Sequence, residues 1–181
     1  MPRLDPQALV THLDRLYRVA WALCGSREEA EDLVQETAAR VLARPRHLRG
    51  QDELAYLVQA LRNTFLLSRR TASRRPREAA TLDQVEPVDP TAHARPESAL
   101  EAHELLAAIA ALPDDFRLAL VAVDVAGLSY REAAGILDTR EATIASRVFR
   151  ARERVARALT GEDASTRSAH GEGAGRPRSL R

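Results

Sequence analysis

The strongest constraint on the fold is a spacing. Apolar residues recur at intervals of three and four in several separate runs, and three of those runs open on the same pattern: Ser26-Arg27-Glu28-Glu29, Ser98-Ala99-Leu100-Glu101 and Ser129-Tyr130-Arg131-Glu132. A serine three residues before a glutamate forms a capping box. The serine hydroxyl takes the glutamate amide, the glutamate carboxylate takes the serine amide, and two orphan donors of a helix start are satisfied together. Strands would need strict alternation instead, which these runs lack. Aromatic residues make up only 4% of the chain, and the abundance of Ala, Arg, Glu and Leu favours helix. The expected fold is all-α.

The first run, Leu9, Val10, Leu13, Leu16, Tyr17, Ala20 and Trp21, predicts an amphipathic helix that Gly25 stops after Cys24. From Ser26 a second helix buries Ala30, Leu33, Val34, Thr37, Val41 and Leu42 and ends before Pro45. After a polar loop, Asp52 caps a third helix with Leu54, Leu57, Val58, Leu61 and Phe65 inward and Gln59, Arg62, Asn63, Arg69 and Arg70 on its other faces. The helix opened by Ser98 turns Leu105, Leu106, Ile109 and Leu112 inward. Pro113, at a first-turn position, begins the next, which ends at Gly127. From Ser129 a short helix runs to Leu137, and Asp138-Thr139-Arg140 turns the chain into a longer one with Ile144, Val148, Ala151, Val155 and Leu159 inward.

Between these sets Pro76, Pro87, Pro90 and Pro96 fall in a stretch with no sustained period, the composition of a linker. The expected organisation is two small helical domains, residues 1–70 and 98–160, joined by a linker at 71–97 and followed by a disordered tail at 161–181, where no large apolar run offsets the entropy of ordering.

The net charge of +1 conceals a segregation. Residues 78–115 hold nine acids against Arg95 alone, residues 69–77 hold five arginines and no acid, and residues 140–157 hold six arginines and two glutamates. Two basic patches thus flank an acidic middle, which points to a polyanionic partner more than the total charge does. Every one of the 27 basic residues is Arg. Guanidinium suits phosphate and guanine, although a GC-rich coding bias accounts for the preference more simply. Cys24 is alone, which rules out an internal disulfide and a cysteine-based zinc site. The N-terminus lacks a signal pattern, and the most apolar stretch, Leu105 to Leu128, is broken by Pro113, Asp114, Asp115, Arg117 and Asp124, so a cytoplasmic protein without membrane contact is expected. The five histidines are scattered, no Gly-rich phosphate loop appears and no nucleophile has a neighbouring base. Neither catalysis nor a metal or other cofactor is expected.

A short helix joined by a tight turn to a longer one is how many proteins offer a recognition helix to the major groove. Thr143, Arg147, Arg150, Arg154 and Arg157 form one stripe beside the buried one, and Arg grips phosphates and the guanine edge. On residues alone, a solvated charged face would look similar. The segments around the stripe decide the matter. Gly127-Leu128-Ser129-Tyr130-Arg131-Glu132-Ala133-Ala134-Gly135-Ile136-Leu137, followed by Thr143-Ile144-Ala145-Ser146-Arg147-Val148-Phe149-Arg150-Ala151-Arg152, resembles the helix-turn-helix of extracytoplasmic-function (ECF) sigma factors. Asp32-Leu33-Val34-Gln35-Glu36 resembles the helix by which that family grips the coiled coil of the polymerase beta-prime subunit, and Leu61-Arg62-Asn63-Thr64 its minus-ten-reading segment.

The resemblance spans about residues 8–76 and 98–160. It implies a sigma factor that binds core RNA polymerase, through the beta-prime coiled coil and the beta flap, and directs initiation at promoter DNA. An anti-sigma inhibitor is compatible with that role. By the resemblance, Asp32, Gln35 and Glu36 bind polymerase. Leu48, Tyr56, Arg62, Asn63, Arg69 and Arg70 meet the minus-ten element, with Asn63 helping to hold a flipped base. Thr143, Ser146, Arg147, Phe149, Arg150 and Arg154 meet the minus-thirty-five element. The chain departs from the family pattern at Tyr56, where Trp is usual, at Leu48, where some members carry an aromatic, and at Ala145, where Lys or Arg is usual. Arg140, Glu141 and Ala142 also replace a more usual Pro, small apolar residue and Gly. A weaker minus-thirty-five affinity than is typical follows. Two rivals fit the bare residues: a stand-alone helix-turn-helix repressor or activator, which should dimerise on a palindrome, and a helical interaction protein whose basic faces are idle.

Overall fold

The computed structural model describes residues 6–43, 53–72 and 96–160, and they are helical apart from short turns. The N-terminal half contains α1 (Pro6–Cys24), α2 (Arg27–Ala43) and α3 (Glu53–Ala72). The C-terminal half contains α4 (Pro96–Ala110), α5 (Asp114–Leu120), a π-helical segment (Val121–Val125), α6 (Tyr130–Ile136) and α7 (Glu141–Thr160). No strand occurs among the described residues.

Local chemistry sets the boundaries. Gly25 takes a left-handed φ of 84° and donates its amide to the Trp21 carbonyl at 2.8 Å, ending α1. Ser26 then accepts the Glu29 amide at 3.3 Å. At Ser129 both halves of the capping box form, with the Glu132 amide 3.2 Å from the serine hydroxyl and the Ser129 amide 2.8 Å from the Glu132 carboxylate. The expected cap at Ser98 is displaced: α4 begins at Pro96, whose fixed φ and missing N–H suit a first helical position. Pro113 stands just outside α5, as its N-cap. Within the tight turn before α7, Asp138 adopts φ 49°, a left-handed conformation that a short polar side chain tolerates.

Most inward positions read from the periodicity are buried: Leu54, Leu57, Val58, Leu61 and Phe65 of α3, and Ile144, Val148, Ala151 and Val155 of α7. Five are not. Val10, Leu13, Leu42, Leu105 and Leu159 are exposed. They sit toward helix ends or on the outer side of α4, where no neighbouring helix covers the stripe that the period extends to. The disordered tail expected at 161–181, and the expected loop at 45–51 with Leu48, lie outside the described residues.

Helix α1 explains why the halves share one core. Val19, Ala20, Trp21, Ala22 and Leu23 are five consecutive buried residues, whereas a helix packed on one side buries a stripe only. Helices α2 and α3 cover one side of α1; α4 and the π-helical segment cover another. Helix α3 also meets α6, and α4 and α5 pack on α7. Sequence periodicity suggested two separate cores; the buried residues instead form one continuous cluster.

Candidate nucleic-acid and polymerase interfaces

Three of the faces read from the sequence can be located. On α2, burial of Ala30, Leu33, Val34, Thr37 and Val41 turns Asp32, Gln35 and Glu36 outward, and all three are exposed. Glu36 accepts from Arg40 Nε at 2.6 Å, one turn on. The strip is acidic and polar, as a basic partner helix would require.

On α3 the same logic holds for the buried stripe, and the face beyond it opens into a concavity of about 590 Å³. Tyr56, Arg62, Asn63 and Arg70 line it together with Arg40, Val41 and Leu67. Asn63 is exposed, and its Oδ1 accepts from Arg62 Nη1 at 3.1 Å. The groove thus combines an amide, a phenol and several guanidinium groups, which can stack on a base, meet its edge and neutralise a strand. Four of the six expected minus-ten residues are brought together here. Arg69 is not among them: it turns to the opposite side, over the Phe65 ring at 5.7 Å and 3.2 Å from Asp114. Arg40 had no place in the sequence reading, because its contribution depends on how α2 crosses α3.

On α7 the buried residues Ile144, Val148, Ala151 and Val155 leave Ser146, Phe149 and Arg150 on the outward face. Phe149 is 63% exposed, unusual for an aromatic with no solvent role and suited to a thymine methyl. Thr143, Arg147 and Arg154 lie to one side. Arg147 Nη2 donates to Asp115 at 2.7 Å, and the Arg154 guanidinium lies 4.6 Å from the Phe116 ring centre. On the other side Arg152 forms a bidentate pair with Asp124 at 2.7 and 2.9 Å. The partners Asp115, Phe116 and Asp124 escaped the sequence reading; the acidic pair before an apolar run was their only trace. No helix among the described residues is long and apolar enough to cross a membrane, and none of their side chains cluster as a metal site would require.

With these faces in place, comparison with known proteins defines the class. Residues 9–75 match the family model for Sigma-70 region 2, and residues 102–155 match that for Sigma-70, region 4. ECF RNA polymerase sigma factor SigE of Mycolicibacterium smegmatis is 34% identical over 86% of this chain. The chain spans 61% of that relative's length. ECF RNA polymerase sigma factor EcfG of Rhodopseudomonas palustris is 38% identical over 77% of this chain and 76% of its own. Among solved structures, the sigma factor RpoE of Bartonella quintana, in complex with the anti-sigma factor NepR, is similar with a TM-score of 0.70 and 29% identity, over 85% of this chain and 95% of that one. The fold is also shared by CnrH, solved with the cytosolic domain of CnrY, with a TM-score of 0.58. The chain belongs to the extracytoplasmic-function family of RNA polymerase sigma factors, proteins that direct promoter-specific initiation of transcription.

Proposed function

We propose that this chain captures core RNA polymerase with the outward strip of α2, formed by Asp32, Gln35 and Glu36, and docks it on promoters through two separate DNA faces. The α3 groove would receive a base extruded from the minus-ten element. Asn63 would meet the base edge, Tyr56 would stack, and Arg62, Arg70 and the Arg69 side would hold the strand; Leu48 completes the set by family resemblance. The outward face of α7 would enter the major groove of the minus-thirty-five element with Thr143, Ser146, Arg147, Phe149, Arg150 and Arg154. The polymerase beta flap is the expected seat of the C-terminal half, and the cytoplasm, where polymerase and chromosome meet, the expected site of action. An anti-sigma factor, of the kind bound to the Bartonella quintana relative, is a further expected partner.

One observation supports this above a stand-alone duplex-binding regulator: the chain carries a base-sized groove on α3 in addition to a helix-turn-helix. A repressor needs only the second. The test is transcription in vitro with core polymerase on a fragment pool from a GC-rich bacterial genome, using this protein and an Asp32→Ala, Gln35→Ala, Glu36→Ala variant. Discrete new start sites that vanish with the variant are expected. Absence of such sites, together with sequence-specific duplex binding without polymerase, would return the stand-alone regulator.

A further inference from the structure

Arg117 is the one charged residue buried among those described, 5% exposed, and its hydrogen bonds leave its own half of the molecule. From α5 its Nη1 donates to the Ala110 carbonyl at 2.7 Å and to the Leu23 carbonyl, 94 residues earlier, at 2.9 Å. These carbonyls end α4 and α1. Helix C-termini present unpaired carbonyls and negative dipole ends, so a single guanidinium closes the ends of two helices from different halves. Its other nitrogen pairs with Asp114. Asp114 is shared with Arg69 of α3, and Arg69 and Arg117 both lie over the Phe65 ring, at 5.7 and 5.5 Å. Beside this cluster the halves approach closely: a Cβ on Gly25 would fall 2.9 Å from the Cβ of Ala110.

The same contact engages Arg62. Its side chain lines a narrow apolar gap with Leu118, Ile136 and Leu137 of the other half, and its Nε is buried without a partner among the described residues. A buried donor left unpaired is costly, which is a reason for Arg62 to leave this contact when an acceptor is offered elsewhere.

We infer that off the polymerase the two halves close on each other with Arg117 as the latch, and that closure withholds Arg62 and Arg69 from promoter DNA. The inference rests on the assignment of those arginines to the minus-ten element. Size supports it. The 123 described residues, packed as one globule, have a radius of gyration of about 14 Å and a breadth of roughly 35 Å. Elements about 25 base pairs apart are separated by roughly 85 Å of duplex at 3.4 Å per pair. A closed chain cannot reach both. The 23 residues 73–95 can extend to about 75–80 Å, enough to let the halves part. Polymerase and promoter, which bind the parted form, would draw the equilibrium toward it.

Cys24, the single cysteine, reports closure. It lies half-buried at the end of α1 beside Arg117 and Arg69, and burial pushes its thiol up to about 12. The test measures labelling of Cys24 by a chromogenic disulfide reagent, and binding of a fluorescent single-stranded minus-ten oligonucleotide, on the full chain and on Ala110→Glu. That substitution wedges the close approach to Gly25, and glutamate suits a helix. Asp114→Asn, milder and exposed, repeats the test should Ala110→Glu lose helicity. Expected results are at least tenfold faster labelling in Ala110→Glu, several-fold in Asp114→Asn, and tighter oligonucleotide binding that Arg62→Ala, Arg69→Ala abolishes. Unchanged labelling in both folded variants overturns closure. Faster labelling with unchanged oligonucleotide binding overturns the withholding. Transcription by the Arg62→Ala, Arg69→Ala variant with core polymerase checks the minus-ten assignment separately.

Discussion

The two helices that face DNA are held in opposite ways. Arginines of α7 find their partners within their own half: Arg147 on Asp115, Arg154 on Phe116 and Arg152 on Asp124. Those of α3 find theirs in the other half, Arg69 on Asp114 and Arg62 against Leu118, Ile136 and Leu137. The upstream-reading face is therefore assembled whenever its domain is folded, and pre-organisation lowers the entropy lost on binding. The downstream-reading face depends on how the halves are disposed. One chain thus combines a standing recognition surface with a conditional one.

The largest effect that could break this comparison is on stability. Leu57 of α3 is fully buried, and Leu57→Ala should cost about 2–5 kcal/mol. Since one core cluster spans the halves, hydrogen exchange should show α7 destabilised along with α3. Protection of α7 that stays at its original level would mean two independent units. Next in size, Arg150→Ala should weaken binding to a minus-thirty-five duplex by about 1–3 kcal/mol, roughly tenfold or more in an anisotropy titration. It should leave binding of a minus-ten single strand as it was.

A smaller effect sharpens the contrast between neighbouring acids. Asp115→Asn frees Arg147 within its own half and should change minus-thirty-five duplex affinity by no more than about 1 kcal/mol, the range of an exposed pair. The adjacent Asp114→Asn should not change it at all, because its partners are Arg117 and Arg69. Equal effects from the two would dissolve the distinction. The smallest effect is a pH dependence confined to the C-terminal half. Hydrogen bonds from the Ser129 hydroxyl and amide hold the Glu132 carboxyl below its ordinary value of 4.5. A depressed folded pKa gives stability that is present above the ordinary value and lost as pH falls through the lowered one. Thermal melts should therefore place Glu132→Gln below wild type at pH 7, with the gap closing in acid below about 4.5.

Much of this architecture was legible in the sequence because helices carry their own signals. Ser129-Tyr130-Arg131-Glu132 and Gly25 are local devices, and they formed where the sequence placed them. The outward positions of Asp32, Gln35 and Asn63 also follow from helical period alone. What escaped is what depends on two helices at once. Periodicity finds the most apolar stripe of α1 but does not show that Ala22 and Leu23 meet a second layer, since alanine suits a buried position and an exposed one equally. Val10 and Leu13 continue the stripe past the point where anything covers it. Arg117 looked like a polar interruption in Asp114-Asp115-Phe116-Arg117-Leu118; its role is set by carbonyls of α1 and α4 that no local pattern could supply. Arg69 and Arg70 seemed equivalent neighbours, yet the helical turn between them sends one to the other half and one to the groove.

The π-helical segment Val121–Val125 has a consequence of another kind. Its wide turn, with the Ala126 amide bonded to the Val121 carbonyl at 2.9 Å, holds one residue more than an α-helix would need to cover the same ground. Each residue of helix is about 100° of rotation, so the segment sets the angular phase between α5 and everything that follows. Loss of a single codon there would let the helix run straight and re-aim the recognition helix by roughly a quarter turn. Promoter choice could then change in a lineage although every residue that touches DNA stayed the same.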